Sequence, residues 1–169
     1  MKAGVSMIND IWGLRRDPRL AEVAAEAGVP IILMSNQRGA PITGDTMAVI
    51  IADLGRAINQ AIKAGVAPEN IIIDPGVGFG KSLEQNLEIV RRLAELKTLG
   101  QPILLGTSRK SMIGLVLDLP ADQRLEGTAA TVAIGIANGA DLVRVHDVKP
   151  MVRVCRMSDA IIRRRTNAS

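Results

Sequence analysis

The sequence is nearly devoid of aromatic side chains. Trp12 and Phe79 are its only two, and tyrosine is absent. A core without rings has to be filled by Ile, Leu, Val, Ala and Met. A reader of single-stranded nucleic acid, which stacks bases on aromatic platforms, is excluded by the same scarcity. A single cysteine, Cys155, forbids an internal disulfide framework and any multi-cysteine zinc site within the chain. It falls in the last helical stretch, as a packed or exposed helix residue. The opening MKAGVSMIND has no apolar signal region, and no segment approaches a membrane span. No membrane partner is expected, and a cytoplasmic location is.

What is present is globular. A chain of 169 residues fits one domain, residues 1–169, and 47% apolar content against 22% charged gives it a core to bury. The net charge of +4 favours anionic ligands. Arg153, Arg156 and Arg163 to Arg165 gather at the C-terminus. Basic residues there complement a helix dipole. With no aromatics among them they read as a solvated helix end, so no nucleic acid is expected as a partner.

One phrase recurs along the chain: a helical stretch, a glycine, a short apolar strand. The glycines are Gly4, Gly28, Gly65, Gly100 and Gly139, each suited to a left-handed helix C-terminus. The strands are VSMIND (5–10), VPIILM (29–34), NIIIDP (70–75), PILLGTS (102–108) and DLVRVH (141–146). Several are continuously apolar, as in parallel strands covered on both faces. Between them, LEQNLEIVRRLAEL puts Leu83, Leu87, Val90 and Ala94 on one helical face. Residues 46–64 and 124–138 have the same period, and Pro18 and Pro150 suit first helical turns.

The alternation predicts parallel α/β structure, either an open doubly wound sheet or a TIM (β/α)₈ barrel. Asn9 and Asp10, Ser35 and Asn36, Asp74, Thr107 and Ser108, and Arg144, His146 and Asp147 stand at or just beyond the strand C-terminal ends. Polar chemistry at the end of every strand favours the barrel, because an open sheet concentrates it at one switch point. Five βα units are legible where a barrel has eight, and only Met-Lys-Ala precedes Gly4. An N-terminally incomplete barrel, lacking its first three βα units, is the expectation, with two outer strands left as unpaired edges.

DPGVGFGKS (74–82) looks at first like a phosphate loop. The P-loop needs Gly five positions before its Gly-Lys-Ser, and that place holds Pro75, which has no N–H. Asp74 would also repel a phosphate beside it. Asp74 can instead accept two N–H bonds from a flat heterocycle, with charge assistance; its plainer reading is a loop-opening cap. Asn9 can donate and accept beside it, or be a turn residue. Arg144 and His146 share a face by period two and make a natural anion site, though a lone His is also at home in a core. SRKS (108–111) reads equally as a solvated basic loop.

INDIWG, IIIDPGVGFGKS, GTSRKSMIG, RLEGTAA and RVHDVK, in this order from about Gly4 to Lys149, resemble the dihydropteroate synthase family. The resemblance covers that family's C-terminal five βα units. It implies condensation of 6-hydroxymethyl-7,8-dihydropterin diphosphate with p-aminobenzoate, giving dihydropteroate and diphosphate. It implies pterin contacts from Asn9, Ile11, Met34, Asp74, Phe79, Gly106 and Lys110. Phe79 and Ser111 would face p-aminobenzoate, and Arg144 and His146 would hold diphosphate. Lys110, Arg144 and His146 would be the catalytic residues. Arg109 would point elsewhere and pair with a carboxylate, Asp10 and Asp147 would orient neighbours or serve structure, and Lys81-Ser82 would merely lead into the next helix.

The resemblance further implies magnesium, bound through an Asn in the family's N-terminal part, and a homodimer through C-terminal helices. One departure stands out: the family commonly has Met-His where this chain has Met34-Ser35. Without the N-terminal part this chain alone is expected to lack turnover. A pterin-dependent methyltransferase of the same fold, or a non-catalytic remnant, are the competing readings.

Overall fold

The computed structural model describes residues 4–163. Met1 to Ala3, and Arg164 and Arg165 of the basic cluster, lie outside the described residues. Each of the five expected strands forms. They are β1 (Ile8–Asp10), β2 (Ile31–Met34), β3 (Ile71–Asp74), β4 (Leu104–Leu105) and β5 (Leu142–Val143). All pair in parallel and in chain order: β1 with β2, β2 with β3, and β4 with β5. A single parallel bridge, Ile73 to Ile103, joins the two groups.

Helices α1 (Arg19–Ala27), α2 (Thr46–Lys63), α3 (Leu83–Arg91), α4 (Ser111–Leu117), α5 (Leu125–Ala137) and α6 (Val148–Ile162) alternate with the strands. The five glycines of the recurring phrase all have positive φ, between 62° and 99°; Gly28 and Gly100 are helix C-caps, and Gly65 and Gly139 follow the caps Ala64 and Asn138. Pro18 caps α1, and Pro150 sits in the first turn of α6. Among the described residues no helix is long and apolar enough to cross a membrane.

Strand alternation splits the sheet into two faces. Ile31, Leu33, Ile71, Ile73, Ile103 and Leu105 point outward into one core with Met47, Ile50, Leu54 and Ile89 from the helices. Ile32, Ile72, Leu104 and Leu142 point inward and form a small second cluster. Burying a side chain of this size contributes roughly 1.5–3 kcal/mol. A one-residue slip of β2 or β3 would exchange the two faces, so the register is fixed by burial. The inward face carries Asn9, Met34, Asp74, Gly106 and Arg144 at its C-terminal end.

One expected helical face needs correction. Ala94 is exposed, whereas Leu93 and Leu96 are buried and Leu99 packs on the core. The α-helix stops at Arg91, and residues Leu93–Leu99 form a 3₁₀ helix. Three residues per turn put 93, 96 and 99 on one side, which moves Ala94 off the face that a 3.6 period assigns to it.

Candidate functional site

The Arg144 side chain spans from the end of the last strand to the ends of the first and third. Arg144, just past β5, donates to Asn9 Oδ1 at 3.3 Å, 135 residues away, and to Asp74 Oδ2 at 2.7 Å. Asp74 is almost fully buried, with its side chain 2% exposed, against 42% for Arg144. Gly106 makes the crossing of Arg144 feasible, because a Cβ there would meet the guanidinium at 2.8 Å. Asp74 also accepts from the Gly76 amide at 2.7 Å. Both carboxylate oxygens are therefore engaged, Oδ1 by the Gly76 amide and Oδ2 by Arg144.

Beside this pair lies a cleft of about 360 Å³ lined by Phe79, Gly106, Ser108, Lys110, Arg144 and His146. Larger depressions run along α6, one lined by Arg156, Asp159 and Arg163, the other by Val148, Val152 and Cys155 together with Arg144 and the inward Leu104 and Leu142. Neither brings Phe79, Lys110 and His146 together. The smaller cleft is where the chemistry converges.

Lys110 reaches the cleft because its loop turns sharply. Arg109 adopts φ +56°, an unusual left-handed conformation for a side chain of its size. Its amide donates to Thr128 Oγ1 at 3.1 Å, and its carbonyl accepts from Arg124 at 2.9 Å. Its guanidinium pairs with both Asp147 oxygens, at 2.6 and 2.9 Å. That pair holds the Asp147 carboxyl below the usual carboxylate range. Lys110 Nζ donates to the Val77 carbonyl and stands 4.3 Å from the Phe79 ring centre, with Arg38 at 4.8 Å. Burial lowers the Lys110 pKa, Asp74 opposes the shift, and Arg144 and Arg38 add to it.

His146 shares the cleft with Arg144 but points to another partner, with Nδ1 2.9 Å from Ser108 Oγ. Met34 is buried at the end of β2, next to Asp74 in register. Ile11 is half-buried, its carbonyl accepting from Asn36 at 2.9 Å. Ser111 opens α4 as an exposed residue and does not line the cleft. Asp10 turns away from the cleft and caps the amides of Trp12 and Leu14. Among the described residues no group of three or more His, Cys, Asp or Glu side chains could hold a metal ion.

The passage from loop to helix also differs from expectation. Ser82 caps α3 in a full capping box with Gln85. Lys81 does not merely lead in: it is half-buried, and its ammonium donates to the carbonyls of Ser35 (2.9 Å), Gly76 (3.0 Å) and Phe79 (3.4 Å). Asn86 was overlooked as well. Its side chain accepts from the Gly78 amide and donates to the Lys81 and Ser82 carbonyls. A polar residue on the buried phase of α3 was the available signal.

Comparison with known proteins agrees with this arrangement. The pterin binding enzyme family matches residues 1–146. Dihydropteroate synthase of Bacillus subtilis is 50% identical over 96% of this chain and 56% of its own length. That of Clostridium beijerinckii is 53% identical over 97% of this chain and 61% of its own. The crystal structure of the Clostridium difficile dihydropteroate synthase in the presence of pteroic acid superposes with a TM-score of 0.92 at 51% identity, over 96% of this chain and 62% of that one. The chain thus spans about 60% of the length of the relatives it matches, and its five βα units have the fold of the (β/α)₈ barrel found there. On a match that runs through every strand, from β1 to the residues just past β5, this chain belongs to the pterin binding enzyme family.

Proposed function

We propose that this chain supplies the pterin-facing part of a dihydropteroate synthase. The observation that carries the reading is the convergence of Asp74, Asn9, Lys110 and Arg144 on one mouth of the sheet, in a chain with half its residues identical to such enzymes.

In this reading the Asp74 carboxylate accepts the N–H and amino groups of the pterin edge, with Asn9 beside it. Charge-assisted pairs of this kind are about twice as strong as neutral ones. Because Arg144 already sits on Asp74 Oδ2, the incoming ring edge exchanges with the guanidinium. Released, Arg144 turns with His146 toward diphosphate. Lys110 takes the pterin carbonyl side, Ile11, Met34 and Gly106 pack on the ring, and Phe79 flanks p-aminobenzoate, while Ser111 stays outside the cleft.

Bond breaking between the pterin methylene and diphosphate leaves carbocation character at the methylene, which the aminobenzoate nitrogen then attacks. The protein's part is positioning and stabilisation of the leaving anion. No nucleophilic side chain is required. Any magnesium requirement would be met by residues outside this chain. A homodimer in the cytoplasm is part of the same proposal.

The test is calorimetric titration of the chain with pteroic acid, followed by product analysis with dihydropterin diphosphate and p-aminobenzoate after the portion of the Bacillus subtilis synthase left uncovered by the match is joined in frame. Micromolar binding that is lost in Asp74→Ala, with release of diphosphate and dihydropteroate, is expected. Methyl transfer without diphosphate release would replace the reading by the methyltransferase one. Binding that survives Asp74→Ala would remove it.

A further inference from the structure

Lys81 is a cation whose hydrogen-bond partners are all main-chain carbonyls. They come from two segments: Ser35 in the loop after β2, and Gly76 and Phe79 in the loop after β3. An ammonium has three donors and no acceptor capacity, so three carbonyls match it fully. The two loops also touch directly. Ser35 N donates to the Asp74 carbonyl (3.0 Å), and Gln37 N to the Phe79 carbonyl (3.1 Å).

Side chains are excluded where the segments cross. A Cβ on Gly76 would strike the Ser35 carbonyl, and one on Gly80 would strike the backbone of Gln37 and Arg38. Both glycines have positive φ, 70° and 71°. The parallel pairing of β2 and β3 is thereby continued past the strands by loop contacts, with Lys81 at their centre. This loop carries Asp74 at one end and Phe79 near the other.

We infer that Lys81 is a positioning residue, which locks the loops after β2 and β3 into one rigid platform and so fixes the separation of Asp74 and Phe79. The platform is a claim about this chain, whereas its use by a pterin rests on the function proposed above. The charged groups that bear on Lys81 are Asp74 at the end of β3, Asp53 on α2, Lys110 at the start of α4 and Arg15 after β1. Burial is the largest influence and pushes its pKa down to about 8, against which Asp74 and Asp53 pull upward and Lys110 and Arg15 do not. Loss of the proton leaves two donors and a lone pair facing three carbonyl oxygens, so the lock loosens within an accessible pH range.

The sign for global stability is opposite. A lysine with a lowered folded pKa binds fewer protons folded than unfolded between about pH 8 and 10.5, so its contribution to stability rises across that window. A loop that loosens while the fold gains from the same group separates positioning from general destabilisation.

The experiment is amide hydrogen exchange by NMR on the chain, corrected for intrinsic base catalysis, with pteroic acid titration alongside. Lys81→Met should lower the protection of the Gln37 and Phe79 amides at least tenfold, and leave Leu33 and Ile73 protected. In the wild type those two loop amides should lose protection between pH 7 and 9, and in Lys81→Arg they should not. Unchanged loop protection in Lys81→Met, or equal loss in the strands, overturns the inference. If Lys81→Met does not fold, the pH comparison between wild type and Lys81→Arg decides, and parallel profiles overturn it. A wild type that shows the loop pattern but ignores pteroic acid defeats the pterin reading and leaves the lock standing.

Discussion

The two walls of the cleft are built in opposite ways. The wall from β1 to β3 is a continuous ladder with full register, and Ser35, Asn36, Gln37 and Asp74 at its strand ends are buried, while Asn9 is exposed. The wall from β4 and β5 rests on two pairs of residues and one bridge to β3; Thr107 and Ser108 after β4 are buried, and Arg144 and His146 after β5 are exposed. The first wall offers fixed acceptors. The second offers a cation on a long side chain, Arg144, beside His146. In the function proposed above, a substrate with a flat hydrogen-bonding edge and a mobile anionic tail would have its edge met by the first wall and its charge by the second.

Removing the fixed acceptor should have the largest effect. Asp74→Ala deletes two charge-assisted bonds to the ring edge, each worth about 1.5–3 kcal/mol. Pteroic acid affinity should fall by about a hundredfold or more in calorimetry. Asp74→Asn keeps one acceptor and should lose roughly tenfold. If Asp74→Ala bound pteroic acid as the wild type does, the first wall would not be the reader.

Arg144→Ala sharpens the contrast, because its effect should depend on the ligand. A pterin without phosphate no longer competes with the guanidinium for Asp74 and should bind no more weakly than to the wild type. The pterin diphosphate should lose at least about tenfold, the scale of one bidentate charged contact. Equal losses for both ligands would mean that Arg144 belongs to the ring site. Lys110→Ala should be intermediate and affect both ligands. It removes a bond to the Val77 carbonyl and a cation over the Phe79 ring, the latter worth about 0.5–2 kcal/mol. Parallel titrations with both ligands check all four variants.

The same contrast governs what could be read from sequence. β-branched runs and the glycines before them announce themselves locally, so all five strands were legible, as was the row of polar residues at their ends. Asp74 and Asn9 could be singled out because a polar residue at a strand end breaks an apolar run. The Arg144–Asp74 contact was not legible, since it spans 70 residues. Lys81 was misread for a different reason. Its partners are backbone carbonyls, which every residue possesses, so no residue type marks them. Ala94 was misplaced by a change of helical period that composition does not reveal.

The smallest effect tests how the second wall is aimed. Arg109 holds its left-handed turn through Thr128, Arg124 and Asp147, and only the last contact is an ion pair at a partly exposed position. Exposed pairs contribute little, because solvent screens them and both side chains lose freedom. Asp147→Asn should therefore lower the unfolding midpoint by no more than about 3 °C. Its pH signature is specific. A carboxyl with a lowered folded pKa contributes above its unfolded value, here 3.8, and loses that contribution as pH falls through the folded one. The wild type and Asp147→Asn should thus differ at pH 7 and converge below about pH 4 in thermal unfolding. Thr128→Val, which removes the acceptor for the Arg109 amide, should show no such convergence, since no titrating group is lost. If Asp147→Asn instead weakened pteroic acid binding as much as Lys110→Ala, the ion pair rather than the backbone contacts would be aiming Lys110, and the second wall would be less free than its exposure implies.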